Sequence, residues 1–268
     1  MGLPESVGTL GAGNMAEAIL RGLLRAGMAP EQLIASDPDP DRRKHIAQEL
    51  GVRATESNAE VVRASELVVL ATKPVHVEAA LRDLPRDEGP LYVSIVAGLR
   101  IAKLRHLLGS QARIVRVMPN TPALIGSGVS AVASDAGLAA DIERASAVLE
   151  AIGRVVHVPE SLMDAVTGLS GSGPAYVYLF IESLTEAGIR EGLDSEVAGE
   201  LAVETVLGAA RLVRESGEDP AVLREKVASP GGTTIAGLAA LEKGGLRTSV
   251  LRAVHAATAR SRELGEDS

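Results

Sequence analysis

Short apolar runs alternate with helical periodicities along the first part of the chain, and after Pro159 the alternation stops. The runs Val7–Leu10, Leu33–Ser36, Leu67–Ala71, Leu91–Ile95, Ile114–Val117, Val129–Ala133 and Val155–Val158 have strand length, and most are apolar on both faces. Helical spacing fills the intervals, including Asp41–Leu50, Ile101–Leu108 and Leu138–Ile152. Strands separated by helices predict an α/β fold with a doubly wound, largely parallel sheet. A ligand then lies beyond the carboxyl ends of the strands, so the segments after those ends carry the chemistry.

From Pro159 onward only helical patterns follow: Leu162–Leu169, Pro174–Glu191, Ser195–Ser216, Ala221–Val227, Ile235–Lys243 and Leu246–Leu264. Asp194 or Ser195 can cap the third of these and Gly217 can end it. That helix carries Val197, Leu201, Val206, Leu207, Ala210 and Val213 on more than one face. A surface helix needs a single apolar stripe, so the remainder should be covered by another helix layer or another subunit. The division expected is residues 1–158 as one domain and an all-α domain over 159–268.

The first run leads into Gly11-Ala12-Gly13-Asn14-Met15-Ala16, followed by apolar helical spacing through Leu23. Strand, Gly-x-Gly-x-x-Ala and helix in that order form a dinucleotide-binding fingerprint. Gly11 permits the tight turn, Gly13 lets the backbone reach a pyrophosphate, and Ala16 lets the helix pack on the strand. Far downstream, Ser229-Pro230-Gly231-Gly232-Thr233-Thr234-Ile235 places two glycines and two hydroxyls before an apolar helical pattern. A helix beginning at such a turn directs unpaired N–H groups outward and suits a carboxylate. The plainer alternative is a helix start capped by Thr233 or Thr234. Three further strand ends face the same way: Ala71-Thr72-Lys73-Pro74, Ala97-Gly98 and Met118-Pro119-Asn120-Thr121-Pro122. Lys73 reads as a contact to cofactor phosphate or ribose, or as a solvated loop lysine.

Composition narrows the functional classes. Hydrophobic residues make up 46% of the 268, with one Phe, three Tyr and no Trp, so the core must be aliphatic. A net charge of −8 without a Lys/Arg stripe speaks against a nucleic-acid partner. The absence of cysteine excludes disulfides and thiolate catalysis, and the five histidines lack ligand spacing, so no metal is expected. No signal peptide precedes the first strand and no apolar run reaches membrane-spanning length, so a cytoplasmic protein without membrane contact is expected. Arg far outnumbers Lys, and Asn stands only at positions 14, 58 and 120. Thermophily or a GC-rich genome gives such a bias. Each Asn falls at a predicted loop or helix start, which suits amide contacts around a cofactor and equally suits turns and caps.

Together these motifs resemble the pyrroline-5-carboxylate reductases. The match runs from Val7 to about Leu264 through G-A-G-N-M-A at Gly11–Ala16, A-T-K-P at Ala71–Pro74, D-A-V-T-G-L-S-G-S-G-P-A-Y at Asp164–Tyr176 and S-P-G-G-T-T-I-A-G-L at Ser229–Leu238. The resemblance implies a Rossmann domain, a helical dimerisation domain, and a substrate site that draws on a neighbouring subunit's helical domain. It implies a homodimer or a larger ring of dimers, reducing 1-pyrroline-5-carboxylate to L-proline. Leu10, Gly11, Ala12, Gly13, Asn14 and Met15 would wrap the pyrophosphate, with Asp37 and Asn58 near the adenosine ribose. Ala71, Thr72, Lys73, Pro74 and Ala97 would line the path to the nicotinamide. Ser229, Gly231, Gly232 and Thr233 would hold the substrate carboxylate, and Thr234 would hydrogen-bond the ring nitrogen as the catalytic residue.

The cofactor signals conflict. An acid after the second strand, here Asp37, usually accepts from the ribose hydroxyls of NAD. The resemblance implies NADPH, and Arg42 and Arg43 stand where they can neutralise a 2′-phosphate. The expectation is that both NADPH and NADH work, NADPH modestly better. A 3-hydroxyacid dehydrogenase shares the architecture but places a lysine early in the long helix; Gly173–Phe180 has none. A non-catalytic nucleotide sensor would have no use for the Ser229–Thr234 turn.

Overall fold

The computed structural model describes residues 2–85, 89–134 and 139–266. They form two compact units, one of residues 1–172 with 255–268, the other of residues 173–254. In the first unit the order is β1 (Val7–Leu10), α1 (Asn14–Arg25), β2 (Leu33–Ser36), α2 (Pro40–Leu50), β3 (Arg53–Thr55), α3 (Asn58–Ala64) and β4 (Leu67–Leu70). Then come α4 (Val77–Leu81), β5 (Leu91–Ser94), α5 (Ile101–Leu108), β6 (Ile114–Met118), β7 (Gly128–Ser134), α6 (Ala139–Glu150), β8 (Gly153–His157) and α7 (Met163–Val166). The eight strands lie in the order β3-β2-β1-β4-β5-β6-β7-β8, parallel except where β7 runs against β6.

Successive residues of a buried strand point to opposite faces, and here both faces are dry. Val7, Leu33, Leu67, Val69, Leu91, Val93 and Val115 share one cluster with Ile19 and Leu23 of α1, Ile46 of α2 and Leu149 of α6. Their neighbours Leu10, Ile34, Val68, Leu70, Tyr92 and Ile114 pack on the opposite face against Val61 of α3, Leu81 of α4 and Leu104 of α5. The sheet is thus doubly wound, as the alternation of apolar runs predicts. Two strands, β1 and β2, have the predicted bounds, and the ends of the other predicted strands differ by no more than two residues. Three elements are additional, β3, α3 and α4, each short and held by the sheet. The predicted helix start Leu138 lies outside the described residues.

The first unit continues past Val158. Met163 is buried with Ala131 and Ala133, joined by Met118, Val158 and Val166. The C-terminal helix α12 (Leu246–Glu266) finishes in this unit: Thr258 and Ser261 are buried, and Ser261 Oγ donates to Asp164 Oδ1 at 2.7 Å. Compactness therefore divides the chain at Ser172 and again at Val254, inside the span 159–268 taken as one domain from the sequence.

The second unit holds α8 (Gly173–Arg190), α9 (Ser195–Ser216), α10 (Pro220–Lys226), α11 (Thr233–Lys243) and the start of α12. Asp194 caps α9 by accepting from the Glu196 N–H, Gly217 ends it at φ +67°, and Asp219 caps α10 through the Ala221 N–H. α8 packs along α9, yet none of its eighteen residues is buried. No helix among the described residues is long and apolar enough to cross a membrane, and no cluster of acidic or histidine side chains there could hold a metal ion.

Candidate active site

Register brings the strand ends level. Leu10 pairs with Ser36 on one side and Leu70 on the other, and Leu70 pairs with Ser94. The segments after them, Gly11–Met15, Asp37–Asp39, Ala71–Pro74 and Ile95–Gly98, therefore leave the sheet along one edge. Gly11 turns the chain at φ +96°, and its N–H donates to the Ser36 carbonyl at 2.8 Å. A Cβ at position 11 would lie 2.8 Å from the Ala71 carbonyl oxygen. Gly13 is extended (φ −70°, ψ −179°) and starts α1 without any side-chain cap. Nothing lies within 4 Å of where its Cβ would be. Open space above an uncapped helix start suits a bound anion. These residues therefore fit the diphosphate of a dinucleotide.

Gly11→Ala tests this geometry. Positive φ with a backbone clash costs about 1–3 kcal/mol. The loop should shift, raising the NADPH dissociation constant roughly tenfold in a fluorescence titration. An unchanged constant would detach Gly11 from the cofactor.

The loop is tied to its surroundings. The Ala12 N–H donates to Asp37 Oδ2 at 2.8 Å, and the other carboxylate oxygen accepts from the Asp39 N–H at 2.9 Å. Arg42 Nε donates to the Ala12 carbonyl at 2.9 Å, a terminal nitrogen of Arg42 also donates to it, and the same nitrogen reaches Glu17 Oε2 at 3.0 Å. Arg21 and His45 complete the ring around Glu17 at 2.8 and 3.1 Å. Burial works against ionisation of Glu17, but hydrogen bonds from Arg21, His45 and Arg42 outweigh it and bring the pKa down to about 2. The carboxylate stays charged and accepting at any ordinary pH. The Glu17–Arg21 pair is an i,i+4 contact within α1, but the Arg42 and His45 contacts are not visible in local sequence, since they join α1 to α2 side by side. Arg43 Nη1 donates instead to the carbonyls of Asp37 and Pro38, at 2.8 and 2.9 Å.

The asparagines divide. Asn14 is exposed at the first position of α1. Asn58 Oδ1 accepts from Ser36 Oγ at 2.6 Å, and Nδ2 donates to the Ala80 carbonyl at 3.0 Å. Asn120 Oδ1 accepts from the Val129 N–H at 2.9 Å. Two of the three amides thus brace loops behind the strand ends. Thr72 and Ala97 are half-buried, and Lys73 and Pro74 are exposed.

In the second unit, Ser229-Pro230-Gly231-Gly232 closes a four-residue turn, with the Gly232 N–H on the Ser229 carbonyl at 2.9 Å. Pro at the second position and Gly at φ +70° at the third match a type II turn. α11 begins at Thr233, two residues before the sequence reading, and its cap is Gly232 with no side-chain bond. Neither Thr233 nor Thr234 caps the helix. Its first N–H groups are therefore left for another acceptor, with the Thr233 hydroxyl exposed and Thr234 half-buried beside them. At the junction, Thr167–Gly171 form one π-helical turn, a form frequent at functional sites.

Residues 160–264 match the family model for pyrroline-5-carboxylate reductase dimerisation, and residues 6–98 match that for NADP oxidoreductase, coenzyme F420-dependent. The pyrroline-5-carboxylate reductase of a Synechocystis strain is 45% identical over 263 residues, 97% of this chain and 98% of its own. That of Arabidopsis thaliana is 42% identical over 264 residues, 97% of this chain and 95% of its own. The crystal structure of Plasmodium falciparum pyrroline carboxylate reductase with NADP bound aligns with a TM-score of 0.89 at 34% identity, covering 98% of this chain and 100% of that one. Similarity of this extent through both the glycine loop and the helical segment shows that the chain belongs to the pyrroline-5-carboxylate reductase family, NAD(P)-dependent oxidoreductases of proline biosynthesis.

Proposed function

We propose that the chain transfers a hydride from NAD(P)H to the C=N carbon of 1-pyrroline-5-carboxylate, yielding L-proline. The observation that carries this is the presence in the chain of two helix starts without a side-chain cap, one after Gly11-Ala12-Gly13 and one after Pro230-Gly231-Gly232. The first takes a diphosphate and the second a carboxylate. When bound, the nicotinamide supplies the hydride. The chain's residues do the rest by placement. Leu10–Met15 hold the diphosphate, Asp37 and Asn58 border the adenosine ribose, and Ala71–Pro74 with Ala97 line the way to the nicotinamide. Ser229, Gly231, Gly232 and Thr233 fix the substrate carboxylate through hydroxyl and backbone donors.

Thr234 hydrogen-bonds the ring nitrogen. A protonated imine accepts hydride at carbon while its π pair moves to nitrogen, leaving a secondary amine. No nucleophile or buried base is required, so orientation supplies most of the rate. We assign residues 1–158 to nucleotide binding and 159–268 to dimerisation and substrate. The working form is a homodimer or a ring of dimers, in the cytoplasm. Purified protein given NADPH and 1-pyrroline-5-carboxylate should lose absorbance at 340 nm and form proline in equal amounts. No oxidation with either cofactor would sink the reading.

NADPH is the preferred donor by a modest margin, with NADH also accepted. Asp37 sits against the loop and would repel a 2′-phosphate, whereas Arg43, folded over the Asp37 and Pro38 carbonyls, offsets it. Asp37→Ser should move the NADPH/NADH ratio of kcat/KM several-fold further toward NADPH, because one like charge is removed. A ratio that does not move would place the ribose elsewhere.

A further inference from the structure

We infer that Arg42 is a positioning residue for the diphosphate loop and takes no part in recognising the ribose end of the cofactor. The inference rests on the reading that Gly11–Ala16 holds the diphosphate. Arg42 forks its guanidinium onto the Ala12 carbonyl and spends its charge on Glu17. Glu17 is in turn held by Arg21 and His45, so the arginine cannot swing away without leaving a half-buried carboxylate short of a partner.

The carbonyl of Ala12 and the N–H of Gly13 belong to one planar trans peptide and point in opposite directions. A fixed Ala12 carbonyl therefore fixes the Gly13 N–H. That N–H has no acceptor among the described residues, and the space beside Gly13 is open. Asp37 holds the preceding N–H, of Ala12, in the same way. Both sides of Ala12 are thus clamped, and the clamp presents the Gly13 N–H as a preset donor toward the bound anion. Preset donors bind better because no ordering remains to be done. The sequence reading that pairs Arg42 with Arg43 against a 2′-phosphate then separates: of the two, Arg43, on the Asp37–Pro38 carbonyls, is left for that end.

The test measures direct binding to the full-length protein, with NADPH, NADH, ADP-ribose and 2′-AMP as probes. ADP-ribose carries the diphosphate without the 2′-phosphate, and 2′-AMP the reverse. Arg42→Ala should raise the dissociation constants of NADPH, NADH and ADP-ribose about tenfold each, and leave 2′-AMP within about twofold. Arg42→Lys keeps the charge but cannot fork, so it should follow alanine; it also serves if the alanine variant does not fold. Arg43→Ala should weaken NADPH and 2′-AMP selectively. Selective loss of NADPH and 2′-AMP in Arg42→Ala would overturn the inference, making Arg42 a phosphate ligand. Unchanged constants with a lowered melting temperature would also overturn it, leaving a structural arginine. Wild-type protein that binds neither dinucleotide would instead sink the parent reading of the loop.

Discussion

Thr234→Ala is expected to lower turnover by roughly 30- to 1,000-fold, the equivalent of about 2–4 kcal/mol, while the NADPH dissociation constant stays nearly unchanged. Thr234 is the second residue of α11, half-buried beside the free N–H groups of that helix start. Because Gly232 caps the helix, the hydroxyl is not spent on its own backbone, and removing it should leave α11 intact. In the proposed mechanism the variant loses one hydrogen bond to the ring nitrogen, held while the protonated imine takes up hydride at carbon. Groups that act chiefly on the transition state lower kcat rather than raise KM. Thr234→Ser keeps the hydroxyl and should recover most of the activity. Wild-type turnover in the alanine variant would remove Thr234 from the mechanism.

The second large effect concerns assembly. α8 and α9 expose Leu179 at 63% and Leu212 at 54%, among a series of uncovered apolar residues that includes Phe180, Leu201 and Leu207. Isolated exposed leucines are ordinary; so many on a segment that matches the family's dimerisation model are expected to meet a partner. Each leucine covered by a partner contributes about 1.5–3 kcal/mol, and a symmetric dimer counts each one twice. A carboxylate in its place would be desolvated without a partner. Leu179→Glu with Leu212→Glu should therefore give a monomer in light scattering, with reductase activity lost. Cofactor binding should persist, because the glycine loop belongs to the other compact unit. An intact dimer in the double variant, or a monomeric wild-type protein, would contradict the assignment.

The amino-acid sequence by itself determined the elements whose signals are local. β1, β2, β4 and β5 are apolar on both faces, so burial in a parallel sheet follows from composition alone. Gly11 and Gly231 mark turns because each needs positive φ, a demand met within one residue. Asp194, Gly217 and Asp219 end or begin helices through contacts no more than four residues away. The helical half, with more apolar faces than one chain covers, also announced a partner.

Tertiary structure decided the rest, because those interactions join residues far apart in the chain. β3 is three residues long with Arg53 exposed, and exists because β2 offers it an edge. α3 and α4 are too short to carry a periodicity, and Val61 and Leu81 are buried only because the sheet lies beneath them. The Asn58 amide meets Ser36 and Ala80, each 22 residues away. Arg42 reaches Ala12 across 30 residues only because β1 and β2 are neighbours and lay α1 beside α2. Hydrophobic period and turn sterics act over a few residues and can be read along a line. Ion pairs and side-chain hydrogen bonds between elements depend on which of them the sheet order makes adjacent, and that order is a property of the folded chain.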